Sequence, residues 1–449
     1  MKNIQFKIKP LTALATLAFS IASFNAMAAD VDRLGKDLTP VGAEKAASAD
    51  GLIPEWDGGL TKAPAGFNPK SGYADPFASE KPTLTITAAN MAQYKDKLSA
   101  GQMEMLKRFP DYKMNVYASH RTAAYPQSLY ENVKAEAGKI HLAEGGNGVQ
   151  GLVHSNIPFP IPKSGVEVIW NHVMRYRGSS LERYSATFPV QANGNFTPVT
   201  LTEKFLMATS VANPEPNRLF YYMGLITGPS SVAGEDLLVI DPIDQVKETR
   251  LAWLYNPGQR RVMRAPDIAY DSPGQGADGL RTTDDYDGFN GAPDRYDWKL
   301  VGKKEMYVAY NNYKLTSKSL KYTDIIRPGH LNQDLVRYEP HRVWVVEATL
   351  KPGKRHVYAK RIFYVDEDSW QIAHTDVYDG RGELWRVHEI DAVQFYDVPT
   401  PWIACEASYD LQARRYLVTA LTNQEKPVKF NFKLESSYFT VDNLRRLSN

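Results

Sequence analysis

The side chains best suited to chemistry in this 449-residue chain are the carboxylates of Asp284-Asp285-Tyr286-Asp287-Gly288-Phe289-Asn290, with Asp294 and Asp297 just beyond. Such a run could hold a hard cation through oxygen ligands. Set against a calcium-binding EF-hand loop, Asp285 and Asp287-Gly288 fall at positions three, five and six, but Thr283 takes the first ligand position and Asp294 replaces the final Glu. Acidic turns are more often solvated, so no metal is assigned, and Asp285, Asp287 and Asp294 stand as the calcium candidates. The nine histidines are scattered, none with a partner four residues away. His172, beside Trp170 and Asn171, is the general-base candidate, with His341 beside Arg342 next; a lone histidine on a strand is more often a structural hydrogen-bonding group. The chain has no G-x-S-x-G, H-E-x-x-H or G-x-x-x-x-G-K-[ST] pattern, which removes the common hydrolase, metalloprotease and P-loop chemistries. Gln259-Arg260-Arg261 and Arg264 put positive charge at a hairpin tip and along its return strand, where it could meet an anionic lipid headgroup or an acidic partner surface.

The elements that must position these groups begin after a leader. Lys2, Lys7 and Lys9 form a positive n-region, Leu11 to Ile21 is apolar apart from Thr and Ser, and Ala26-Met27-Ala28 offers an A-x-A cleavage site before Ala29. The expectation is a cleaved signal peptide over residues 1–28 and a periplasmic mature protein. No cysteine near the cleavage point is available for lipid attachment, since Cys405 is the chain's single cysteine. It also excludes internal disulfides and cysteine-based zinc sites. The formal net charge of +2, brought close to neutral by loss of the three leader lysines, gives no sign of nucleic-acid binding.

Three textures follow. Residues 29–82 are rich in Gly and Pro, and such a segment cannot form a long helix or a central strand. Trp56, Phe67, Tyr73 and Phe77 mark it as an extended wrap that docks on the rest. Residues 83–150 are helical by periodicity, with Thr87 as N-cap of a helix running to Phe109 and a second helix over Ser128 to Ala137. Residues 151–449 alternate strand and turn, with turn signals at Asn193-Gly194, Asn256-Pro257-Gly258, Pro352-Gly353, Asp366-Glu367-Asp368-Ser369 and Asp379-Gly380-Arg381-Gly382. Three successive hairpins between Arg342 and Tyr396 imply a meander of long strands. Trp344, Val346, Ala348 and Leu350 form the more continuously apolar face of one strand, as Trp253 does with Leu251 and Tyr255 on another. A large antiparallel sheet with an apolar face must close, pair with a second sheet, or be covered by helices. The predicted fold is therefore mainly β with helices: a curved antiparallel half-barrel with the Thr87-to-Phe109 helix as a lid on its concave side.

Leu251-Ala252-Trp253-Leu254-Tyr255-Asn256-Pro257-Gly258-Gln259-Arg260-Arg261-Val262 resembles a strand-turn-strand segment of periplasmic lipoprotein carriers, and Phe363-Tyr364-Val365-Asp366 through Asp379-Gly380-Arg381-Gly382 is similar to their later hairpin. Over its mature length the chain resembles an uncharacterised family of Gram-negative envelope proteins in the same lipoprotein-sorting superfamily. The matches are Leu38-Thr39-Pro40-Val41-Gly42-Ala43-Glu44, Ile53-Pro54-Glu55-Trp56, Pro158-Phe159-Pro160, Trp170-Asn171-His172, Pro257-Gly258-Gln259-Arg260-Arg261, Tyr296-Asp297-Trp298 and His341-Arg342-Val343-Trp344. The resemblance implies a lipoprotein-carrier-like fold, an envelope location, and an association with exporters and outer-membrane partners; it carries no catalytic residues. The leading expectation is a carrier or chaperone for a lipid or other hydrophobic ligand, without cofactor. Its ligand-facing residues would be Trp170, Trp253, Trp344, Val346 and Leu350, with Arg260, Arg261 and Arg264 as headgroup or partner contacts. The alternatives are a non-catalytic module joining an exporter to an outer-membrane protein and, behind both, a hydrolase or lyase.

Overall fold

A computed structural model of the protein describes residues 30–151, 154–211 and 213–448. The expected signal peptide lies outside the described residues. One curved sheet, not closed into a barrel, organises the chain. From edge to edge its strands are Leu84–Ile86, Met114–Val116, Tyr338–Leu350, Lys360–Asp366, Ile372–Tyr378, Leu384–Phe395, Thr400–Asp410, Arg415–Leu421, Ser180–Val190, Val199–Met207, Phe220–Gly228, Asp236–Asp241, Leu251–Asn256 and Arg261–Arg264. Tyr296–Ala309 also pairs with Tyr338–Leu350. The neighbours are antiparallel apart from one parallel contact of Val116 with Tyr338.

The turns explain this order. Asn193 accepts the Asn195 N–H at 3.0 Å and Asn256 accepts that of Gln259 at 2.9 Å, so each side chain closes its own hairpin. Asp379 Oδ1 accepts from Arg381 N at 2.9 Å and Glu383 N at 3.1 Å, and Gly382 supplies the left-handed residue at φ 79°. Four strands joined by three such turns, from Tyr338–Leu350 to Leu384–Phe395, form the expected meander.

The helical cover exists, but it is built differently from the sequence expectation. The stretch from Thr87 to Phe109 is two pieces: a 3-10 segment at Met91–Lys97 and an α-helix at Ala100–Arg108. Ser99 divides them by starting a new helix. Its hydroxyl accepts the Gln102 N–H while Gln102 Oε1 accepts the Ser99 N–H, both at 3.0 Å. This helix packs on the Asp376 and Val387 face of the sheet, where Gly101 approaches both side chains closely.

The opposite face is covered by a helix at Gly165–Met174, a stretch whose sequence reads as strand. Ser164 accepts the Glu167 N–H at 3.4 Å, and Val168, Ile169, Trp170 and Val173 pack among Val346, Ala348, Phe363 and Val365. Gly165 permits this docking, because a Cβ there would lie 2.9 Å from the Lys299 carbonyl carbon and 3.0 Å from Val346 Cγ1. The helix is buried on nearly every side, which removes the polar stripe that normally distinguishes a helix from a buried strand.

The Gly/Pro-rich segment lies against the same body. Leu34, Leu38 and Val41 enter the main core, the Trp370 indole donates to the Val41 carbonyl at 3.0 Å, and Trp56 donates to Ala123 O at 3.4 Å. Tyr73 packs edge-on against Phe395 with ring centres 4.8 Å apart, and Phe77 stacks on His120 at 4.1 Å.

Candidate ligand cavity

On the face covered by Gly165–Met174, where the strands from Ser180 to Asn256 extend beyond that helix, lies a cavity of about 590 Å³. Strand alternation selects its walls. Leu181, Arg183, Ser185 and Thr187 project from one strand, Leu201, Glu203 and Phe205 from the next, and Phe220, Tyr222, Leu237, Val239 and Leu254 from those beyond. Trp402, Ile403 and Thr419 complete the far side. The roof is the loop that follows Arg264. It crosses the cavity between two anchors: Gln275 donates to the Glu235 carbonyl on one side, while Ala277 and Leu280 pack on Leu417 on the other.

The wall is apolar with a few fixed charges. Arg183 and Glu203 stand directly opposite in register, joined at 2.7 and 3.0 Å. Glu203 also accepts hydroxyl hydrogens from Ser185 at 2.8 Å, Tyr286 at 2.8 Å and Tyr222 at 3.0 Å. Burial alone would raise the Glu203 pKa; the Arg183 charge and these donors reverse that and hold it at about 2. The same carboxylate holds the Arg183 guanidinium above its ordinary value against the pull of burial. Tyr222 reaches Glu203 because Gly224, opposite Glu203, has no side chain: a Cβ there would sit 2.6 Å from the Tyr222 hydroxyl.

At the inner end, Asp287 is shared. Arg175 donates to both of its oxygens at 2.7 and 2.6 Å, and Arg177 to Oδ2 at 2.6 Å. Burial would raise the Asp287 pKa, and these guanidiniums instead hold it well below the usual carboxylate range. Arg177 also lies over the Phe205 ring at 5.3 Å, joining the charged end to the apolar wall.

The calcium candidates do not converge on a cation. Asp287 takes its two arginines, Asp285 takes Arg361 at 3.1 Å and Tyr358 at 2.8 Å, and Asp294 lies 3.6 Å from the Lys354 ammonium. Among the described residues the ligand atoms of His341, Asp366 and Asp368 do gather within 4.8 Å of one another. Asp368, however, is held by Arg121 at 2.9 and 2.6 Å.

His172 sits on the Gly165–Met174 helix rather than on a strand. Its Nδ1 accepts the Ile372 N–H at 3.0 Å, so Nε2 carries the proton and donates to the Asp287 carbonyl at 2.8 Å. Burial and the nearby Arg175 charge hold its pKa well below the ordinary value. The ring fastens helix, sheet and loop.

Of the sequence-derived ligand residues, Trp170 belongs to that helix and Trp344, Val346 and Leu350 to the strand Tyr338–Leu350 in the same core, all outside the cavity lining. Trp170 donates to Gly146 O at 2.8 Å, and Trp344 stacks on Trp370 with ring centres 6.4 Å apart. Trp253 belongs to a separate cluster with Phe439 and Leu444. Arg264 does line the cavity, at its exposed rim, with its guanidinium 4.9 Å from the Trp253 ring centre. Arg260 and Arg261 are exposed at the hairpin tip and outside the lining. The sequence reading passed over Arg177, Arg183, Glu203, Tyr222 and Tyr286, although charges in the middle of apolar strands, as in Ser180–Val190 and Val199–Met207, are a usable signal.

The chain is similar to several known proteins. A domain assigned to outer membrane lipoprotein sorting in Vibrio parahaemolyticus is 15% identical, covering 63% of this chain and 98% of its own, with a TM-score of 0.44. A LolA superfamily protein from Nitrosomonas europaea is 13% identical, covering 63% of this chain and 99% of its own, with a TM-score of 0.39. An uncharacterized protein of Pseudomonas aeruginosa is 51% identical over 448 residues, 98% of each chain. A family model described as a protein of unknown function, DUF1329, matches residues 85–445, and the chain belongs to that family.

Proposed function

We propose that the protein is a periplasmic carrier or chaperone that shelters a lipid or other hydrophobic ligand, working with an envelope exporter or an outer-membrane partner. The observation that carries the reading is the roofed cavity of about 590 Å³, within the ~300–1,000 Å³ range of small-molecule sites. Its walls of Leu, Phe, Val and Trp would supply affinity at roughly 0.8 kcal/mol per buried methylene. The periplasmic location rests on the charged n-region, apolar run and A-x-A site. Among the described residues no helix is long and apolar enough to cross a membrane. Arg264, at the rim, is the sequence-derived headgroup contact that stays with this reading.

The test is to purify the protein from the periplasmic fraction, confirm Ala29 as its first residue, and extract bound lipid. The delipidated protein is then titrated with a fluorescent fatty-acid probe. The expected result is co-purified lipid and saturable probe uptake, which Leu237→Trp abolishes by filling the space opposite Gly224 while the circular dichroism spectrum stays the same. Absence of both lipid and probe uptake would overturn the reading.

A further inference from the structure

Five buried arginines stand at or beside this cavity, and they differ in how they are paired. Arg183 has Glu203, Arg250 has Asp241 at 2.8 Å, and Arg281 has Glu406 at 3.5 Å. Arg175 and Arg177, by contrast, divide the one carboxylate of Asp287. Close by, the buried carboxylates of Asp284 and Asp285 share the one guanidinium of Arg361, at 2.8 and 3.1 Å.

Three of these arginines, Arg175, Arg177 and Arg281, have an Nε with no hydrogen-bond partner, and two of the three line the cavity. Arg177 and Arg281 both line the cavity, both are more than nine-tenths buried, and the Nε of each has no hydrogen-bond partner. Arg281 is the looser of the two. Its ion pair is long, and its guanidinium otherwise lies over the Tyr286 ring at 5.1 Å. The pair flank one peptide: Arg177 holds the Asp287 carboxylate, and Arg281 holds Glu406, which accepts the Gly288 N–H at 3.4 Å. Next to them run Phe205 and Phe220, with the Arg177 guanidinium 5.3 and 5.8 Å from their ring centres, and Leu237 and Val239 continue the wall.

We infer that the carried ligand is an anionic amphiphile, with its carboxylate or phosphate head bound by Arg177 and Arg281 inside the cavity and its apolar chain laid along the Phe205, Phe220 and Leu237 wall. The inference rests on the carrier reading and narrows it to a ligand class. A guanidinium gives planar, paired donors to either kind of oxyanion, and such charge-assisted bonds are stronger than neutral ones. A head buried at this end would be distinct from one held at the rim by Arg264, because Arg177 and Arg281 are enclosed and Arg264 is exposed.

The experiment titrates delipidated full-length mature protein with three fluorescent probes: a long-chain fatty acid, its methyl ester, and a phosphatidylglycerol analogue. Arg177→Met and Arg281→Met are made singly. Neither strands a charged neighbour, since Asp287 keeps Arg175 and the Glu406 carboxyl, pushed up to about 7 by burial, can retain its proton. The expected result is that the wild type prefers at least one anionic probe to the ester by about tenfold or more, and that each variant loses about that factor for the anion alone. The probe with the larger loss identifies the head as carboxylate or phosphate. Equal binding of acid, ester and phospholipid, or anion binding unchanged in both variants, would overturn the inference and leave the carrier reading standing. Failure of every probe to bind the wild type would overturn both.

Discussion

Replacing Arg183 by Met would show whether the cavity wall is held by its buried ion pair. The guanidinium makes bonds of 2.7 and 3.0 Å to Glu203, and both side chains are only 4% exposed. Removing it leaves a buried carboxylate with hydroxyl donors alone, a loss that typically costs about 3–5 kcal/mol. The Glu203 pKa gives the net effect of burial, Arg183 and the hydroxyl donors together. Glu203 is held at about 2 against an ordinary 4.5, and at ~1.4 kcal/mol per unit this depression is worth on the order of 3 kcal/mol. The sign follows from the lowered folded-state pKa. The contribution is fully present above about 4.5 and is lost as the pH falls towards 2. Urea unfolding of the mature protein should therefore show the Arg183→Met deficit largest near neutral pH and shrinking in acid. Adding Glu203→Gln to Arg183→Met should recover much of the loss, because the stranded charge is gone. A variant as stable as the wild type at neutral pH, or a deficit that does not change with pH, would refute the reasoning.

Two further outcomes are expected. Val346→Asp should give misfolded or insoluble protein rather than a folded non-binder: Val346 is fully buried under the Gly165–Met174 helix, and an unpaired charge there costs several kcal/mol. Recovery of soluble, cooperatively melting protein would contradict that packing. Glu406 is pushed up to about 7 by burial, with the Asp287 and Asp285 charges adding and Arg281 opposing. The folded chain thus keeps a proton that the unfolded chain releases above about 4.5, so stability should fall as the pH rises from there towards 7. Glu406→Gln should flatten part of that slope in thermal melts, with Glu367, Glu389 and Asp391, whose pKa values burial also raises, among the groups that supply the rest. An unchanged slope would count against it.

The hairpins were legible because their turns are chemically local: Asn193, Asn256 and Asp379 each bond to backbone two to four residues away, and nothing distant can change that. The covering helix was not, although its opening Ser164-Gly165-Val166-Glu167 is a helix-start pattern and Ser164 does accept from Glu167 N. Its apolar residues face the core on all sides, so period gave no help. Ser99 and Gln102 carry the same start pattern, which divides the stretch after Thr87 in two.

The cavity was hidden for a different reason. Alternation identifies a buried face only when the other face is wet, and here Thr400–Asp410 is buried at every position. Val343 is as enclosed as Val346 and Ala348, and Val345 is buried too. What distinguishes the cavity wall is charge placed where packing alone would choose apolar residues. Arg183 and Glu203 interrupt two apolar strands at the positions that meet in register, and each would be costly without the other. Matched charges on neighbouring strands are a pattern that a single sequence contains but does not align, because the register joining them is set by the Asn193-Gly194 turn and the strand lengths on either side of it. Once that register is known, the pair becomes the fixed point of the wall. Gly224 then makes room for Tyr222, Tyr286 arrives from the roof loop, and both hydroxyls close on Glu203. The roof is thereby tied to the sheet through one buried carboxylate, so protonating or removing Glu203 loosens the cover and the wall together.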